Sequence, residues 1–205
     1  MKKSLITLLA VGSVALVASA APQSFDFKDP KGVNNAVFKL DAPLEAINGS
    51  ANGVSGTVEF DAVKPAATKG KIVVASKSLT VGNSVMQDHM HGDGWLDVAK
   101  HPEISFAVKE LKDAKTEGNV TTATAVGTFS LKGVEKEISI PVKLTYLKGK
   151  LADRSGGQMK GDLLVIRSTF AIKRADYNIK PGQAEDKVAN DIELTLSIAG
   201  AAPQK

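Results

Sequence analysis

The residues with the most chemical potential are clustered: the three histidines of the 205-residue chain, His89, His91 and His101, fall in one short stretch interleaved with Asp88, Asp93 and Asp97. Neutral imidazoles and ionised carboxylates are the donor set of a divalent-metal site, provided that they converge on one point. The spacing works against this, because residues two apart on a helix point in different directions and His89 and His91 then diverge. No metal ligands are assigned on this basis. An exported metal-binding or stress-related domain built on His89, His91 and His101 stands as the alternative function. Nucleophilic chemistry is poorly provided for. There is no cysteine, which removes thiolate nucleophiles, disulfides, Cys-ligated zinc and iron–sulfur clusters. Gly53-Val54-Ser55-Gly56-Thr57 lacks the last glycine of a hydrolase nucleophile elbow. No phosphate-binding loop or zinc-protease motif occurs, and no acid–base pair stands out among the carboxylates. The chain is therefore read as non-catalytic, with no cofactor.

The elements that must position these residues are strands. Ile138, Ile140, Val142, Leu144 and Tyr146 alternate with polar residues and Pro141, as do Ile192, Leu194, Leu196 and Ile198, and Ile104, Phe106 and Val108. Such a period of two puts one set of side chains on one face of a sheet. Weaker patterns at 37–41, 54–61, 71–78, 122–131 and 163–173 bring the expected number to roughly eight strands. Pro141 predicts an edge or bulge in its strand. Lys132-Gly133-Val134-Glu135 reads as a tight hairpin, and residues 147–160 and 181–188 as loops. Residues 83–102 break the rhythm: Asn83 or Ser84 can cap a short helix carrying Val85/His89 and Met86/Met90 pairs, which Gly92 and Gly94 end.

Lys2 and Lys3, an apolar run from Leu5 to Val17 and the small residues Ala18-Ser19-Ala20 read as an export signal over residues 1–20, cut before Ala21. The run is too short to span a bilayer. Residues 21–205 then form one domain in the periplasm or outside the cell. Lys2 and Lys3 carry half of the net charge of +4. No basic cluster interleaved with aromatics suggests nucleic acid as a partner.

Strands with a single apolar face must hide that face and dispose of their edges, and a closed barrel does both. Charged residues on the opposite face (Lys39, Glu59, Lys71, Lys109, Lys143, Glu193) place that face in water rather than lipid. Aromatics make up only 5% of the chain, so bulky fillers are few, which favours a hollow interior over a packed one. A hydrocarbon-lined cavity rewards a long apolar ligand, at about 0.8 kcal/mol per buried methylene.

Three blocks then resemble the YceI-like family of exported lipid-binding proteins. They are Met86-Gln87-Asp88-His89-Met90 with Trp95-Leu96-Asp97-Val98 and Lys100-His101-Pro102-Glu103-Ile104-Ser105-Phe106; Gly127-Thr128-Phe129-Ser130-Leu131-Lys132-Gly133-Val134 with Ile138-Ser139-Ile140-Pro141-Val142; and Phe170-Ala171-Ile172-Lys173-Arg174-Ala175-Asp176-Tyr177-Asn178-Ile179. Ala42-Pro43-Leu44-Glu45 and Gly53-Val54-Ser55-Gly56 fit upstream, so the match spans nearly the whole mature chain. The resemblance implies an all-β, eight-stranded antiparallel, lipocalin-like barrel with a short helix near one end. It also implies a polyisoprenoid, isoprenoid quinone or related lipid inside, and no catalysis. Two positions depart from the family pattern. Met86-Gln87 stands where many members have Arg-Asp, which leaves head-group preference open, and Asn178 replaces a frequent glycine, which a left-handed turn tolerates.

The expected cavity lining is Phe106, Val108, Phe129, Leu131, Ile140, Val142, Leu144, Phe170, Ile172, Leu194 and Leu196. Trp95 and Leu96 border the mouth and touch the ligand chain, or Trp95 plugs that end. His89, His91 and Arg174 are the head-group candidates. For the histidines the rival reading is a solvated surface, and for Arg174 a contact with Asp176. Expected partners are a long-chain lipid and no nucleic acid, without stable membrane insertion; a homodimer is left open.

Overall fold

The computed structural model describes residues 22–204 of the chain; the segment read as an export signal and its cut before Ala21 lie outside the described residues. Eleven strands carry the alternation: β1 Gln23–Asp26, β2 Asn35–Asp41, β3 Ala46–Ala51, β4 Val54–Phe60, β5 Lys69–Ala75, β6 Leu79–Val81, β7 Glu103–Glu117, β8 Val120–Leu131, β9 Val134–Leu147, β10 Gly161–Lys173 and β11 Asp191–Pro203. Two helices, α1 Ser84–His91 and α2 Leu151–Ser155, interrupt them.

Pairing reduces these strands to eight staves of a closed antiparallel barrel. β1 and β2 both lie against β11, so they are two halves of one bent stave. β3 continues into β4, and β5 into β6, because β4 pairs β5 while β3 pairs β6. β7 to β11 follow in antiparallel order, and Asp26 opposite Ala201 closes the ring. The eight expected strands correspond to these staves. The halves the alternation did not reveal are β1 and β6, only four and three residues long, and β3, whose Ala46-Ile47-Asn48-Gly49-Ser50-Ala51 has a single large apolar residue.

Local chemistry sets the breaks. Between β1 and β2, the Asp29 carboxylate accepts the backbone N–H groups of Lys31, Val33 and Asn34, and the Asn34 side chain bridges Phe27 and Ala199. The loop after β9 contains α2, whose Arg154 bonds Asp29 at 3.1 Å and Asn34 at 3.2 Å, tying this loop to the barrel end. Of the two alternatives expected at Pro141 the edge is the one observed, while the irregular pairing falls in β7, where the register slips between Val108 and Glu110 and between Lys112 and Lys115. Pro141 instead lies just beyond the last β9–β10 pair, Lys143 opposite Arg167, and its carbonyl accepts the Ser168 hydroxyl at 2.6 Å. Tyr177 packs edge-on against Phe129 at 5.6 Å, beside Ile138 and Phe170, where the β9–β10 ladder has ended. It arrives there through Asn178, which takes the left-handed backbone (φ 53°) that the replaced glycine would have supplied.

One barrel end is solid. Phe25, Phe27, Phe60, Tyr146, Leu164 and Ile198 fill it, with Tyr146 edge-on to Phe25 at 6.2 Å. Phe27 lies flat on Gly200, where any side chain would come within 2.6 Å of the ring. The Tyr146 hydroxyl donates to buried Asp162 at 2.7 Å, and Asp162 also accepts the Gly149 N–H at 2.7 Å. Burial and the Asp162 contact push the Tyr146 hydroxyl up to about 12. Burial alone would raise the Asp162 carboxyl, but the Gly149 N–H, Tyr146 and Gln23 outweigh it and hold the group below the usual carboxylate range. A group depressed on folding stabilises the fold above its unfolded pKa, and that stability drains as pH falls through the folded value. The wild type is therefore expected to lose stability below about pH 4. Asp162→Asn should be less stable at pH 7 and show a shallower acid limb in urea titrations across that range; an unchanged limb would remove Asp162 from this role.

Candidate functional site: an apolar cavity with one polar mouth

Above the solid end the interior is hollow. Side chains that alternation turns inward (Ile72, Phe106, Val108, Val142, Phe170, Leu196) keep accessible surface although they point into the barrel. That surface belongs to an inner chamber of about 150 Å³ lined almost wholly by aliphatic and aromatic groups from β2 to β11. Three of its four hydroxyls have partners in the wall: Thr68 donates to the Pro65 carbonyl, Ser168 to that of Pro141, and Thr195 pairs with Thr169 at 3.3 Å. Gly127 makes room in this wall, since a Cβ there would lie 2.7 Å from the Phe106 ring.

A wider outer chamber of about 540 Å³ lies at the other end of the barrel. Phe38, Leu79, Ile104, Phe129 and Leu194 line both chambers and form the neck between them. α1 covers one side of the outer chamber. Its N-terminus is capped by the Asn83 side chain, which accepts the Met86 N–H at 2.9 Å, and the Gly92 N–H closes the last turn on Asp88 and His89. Val85, Met86, His89 and Met90 thereby face the chamber, followed by Trp95 and Leu96. Its polar lining consists of Glu45, Asn83, His89, Arg174 and Lys187.

The expected lining residues separate into two groups. Phe106, Val108, Ile140, Val142, Leu144, Phe170 and Leu196 line the inner chamber, Trp95, Leu96, Leu131 and Ile172 the outer one, and Phe129 and Leu194 both. The head-group candidates are scattered. His89 borders the outer chamber. His91 is not part of either lining: its Nε2 pairs with the Leu79 carbonyl at 2.8 Å and fastens α1 to β6. His101 packs beside the Gly133 turn. Among the described residues no three His, Cys, Asp or Glu side chains converge on a metal site, so the three histidines form no joint centre.

Arg174 lines the outer chamber but has no donor to spare. Its guanidinium gives N–H bonds to the carbonyls of Val188, Ala189, Ile179, Lys180 and Gln183, which occupies its full set of donors. Neither earlier reading of this residue holds. It cannot fork onto a phosphate, and Asp176 pairs with Lys136 at 3.1 Å instead. Arg174 is the buried peg around which residues 179–189 wrap to form one wall of the mouth. The Trp95 ring lies beside this peg, with Arg174 Cζ 5.8 Å and Lys180 Nζ 4.8 Å from its centroid.

Lining residues that alternation did not single out include Phe38, Leu79, Met86, Met90 and Val188. Met86 and Met90 had a readable signal, their four-residue spacing on a capped helix. Val188 had none, because it reaches the cavity only through the loop that Arg174 organises.

The YceI-like domain family matches residues 29–200. A UPF0312 protein of Pectobacterium atrosepticum is 27% identical over 202 residues, covering 98% of this chain and 97% of its own length. A UPF0312 protein of Yersinia pestis is 28% identical over 195 residues, 94% of each chain. Among solved structures, Burkholderia cenocepacia BcnA is similar with a TM-score of 0.63 at 18% identity, covering 81% of this chain and 94% of that one. A polyisoprenoid binding domain from Saccharophagus degradans, implicated in plant cell wall breakdown, reaches 0.65 at 12% identity, covering 89% and 99%. At these identities the structures establish the common fold. Among the described residues, no helix is long and apolar enough to cross a membrane.

Proposed function

This chain belongs to the YceI-like domain family, and from that premise we propose that it is a non-catalytic carrier of one long apolar lipid, of the polyisoprenoid or isoprenoid-quinone kind, acting in the periplasm or outside the cell after cleavage near Ala20-Ala21. The observation that carries this reading is the hydrocarbon-lined cavity running from a wide, partly polar mouth through the neck into the barrel. Each methylene buried there contributes about 0.8 kcal/mol. A chain of many carbons thus outweighs the roughly 4–15 kcal/mol cost of association, which a small polar metabolite does not. The named function of the Saccharophagus degradans domain agrees with a ligand of this class. The tail occupies the inner chamber, and the head stays at the mouth near His89 and Lys187. Arg174 shapes the mouth without contacting the head through its N–H groups.

The test is extraction of the purified mature protein with organic solvent, followed by mass spectrometry. An isoprenoid or similar single-chain lipid in near-stoichiometric amount is the expected result. Adding that lipid back to stripped protein at a hundredfold excess over its dissociation constant should stabilise the fold by about 2.7 kcal/mol. An empty extract together with an unmoved melting temperature across a lipid panel would refute the carrier reading.

A further inference from the structure

We propose that the solid end of the barrel is a length stop, so that the inner chamber accepts one apolar chain only up to a defined reach. The proposal rests on the carrier reading and adds a limit to it. In the chamber wall Ile72, Phe106, Val142, Phe170 and Leu196 retain accessible surface, whereas Val58, Leu111, Leu144 and Ile166 are closed to between 2 and 8% and belong to the same buried cluster as Phe25 and Phe60. Behind that ring stand Phe25 and Phe60, with Tyr146 pinned through its hydroxyl to Asp162. A floor backed by an aromatic ring that a part-buried hydrogen bond holds in place does not yield to an advancing chain end as a loose aliphatic contact would. From Ile104 at the neck to Leu111 at the floor, β7 with its bulge spans roughly 15 Å along the barrel axis. The inner chamber is also much the smaller of the two, about 150 Å³ against about 540 Å³. Chain beyond the stop must therefore remain in the outer chamber or in water.

The experiment measures binding of two series, straight-chain primary alcohols and isoprenoid alcohols of increasing length, to the stripped mature protein. Wild-type affinity is expected to rise about fourfold per added methylene, which is 0.8 kcal/mol converted, and then to break. Leu144→Ala, or the milder Ile166→Val, deepens the floor and should move the break to a longer chain. Ala125→Leu raises it and should move the break to a shorter one. A break at the same length in all variants, or a rise with no break, overturns the stop while leaving the carrier intact. If the wild type binds no alcohol of any length, both readings fall together.

Discussion

A Leu194→Asp variant is expected to purify folded and empty, with affinity for the lipid lowered at least about 100-fold, or about 2.7 kcal/mol. Leu194 lines both chambers, so a carboxylate there faces every chain that passes the neck. An ionised group that must be stripped of water by hydrocarbon costs several kcal/mol, and a protonated one still loses a hydrogen-bond partner. Without ligand the same carboxylate can be hydrated from the open chamber, so the fold survives. Lipid content after solvent extraction measures the first effect, and circular dichroism with thermal unfolding checks the second. Retention of wild-type lipid by a folded Leu194→Asp protein would show that the chain does not thread the neck.

For Arg174→Met the expected loss is about 3 kcal/mol of stability. The substitution keeps an apolar stem of similar reach and removes the donors that gather the carbonyls of residues 179–189. Some of those carbonyls regain water at the surface, which keeps the cost below the sum of the lost bonds. Local loosening should exceed the global effect, so limited proteolysis is expected to nick residues 180–188 before the barrel unfolds. Arg174→Lys should restore little, because one ammonium cannot reach carbonyls spread over so wide an arc. Urea denaturation and a proteolysis time course measure both effects. A variant as stable and as protease-resistant as the wild type would reduce Arg174 to a bystander.

The parts legible in the sequence were those governed by local periodicity. Ile104, Phe106, Val108, Ile138 to Tyr146 and Ile192 to Ile198 declared both their strands and their inward faces, and the helix after Asn83 declared its cap. Asn178 could be judged from backbone preference alone. Other features depend on distant partners. β1 is a strand because β4 and β11 offer it edges, not because Gln23-Ser24-Phe25-Asp26 demands one. Arg174 finds its acceptors in a loop whose path it dictates, a reciprocal arrangement that leaves no spacing to read. His91 looked like a head-group candidate beside His89, yet its partner is a carbonyl on β6, twelve residues back in the chain. Glu45 and Lys187 reach the mouth from separate loops, joined where the Leu44 N–H meets the Asp186 carbonyl at 2.9 Å.

The final stave has a temporal consequence. β11 is flanked by β10 on one side and by β1 and β2, the first elements of the described chain, on the other. Contacts that join the two ends of a chain pay the longest loop closures, so this seam is expected to zip late. Until its thirteen residues arrive, the remaining staves form a curled open sheet with two raw edges. A ribosome or protease that stops short of Asp191 thus leaves not a leaky container but a sticky sheet, and the cavity has a complete wall only once β11 is in place.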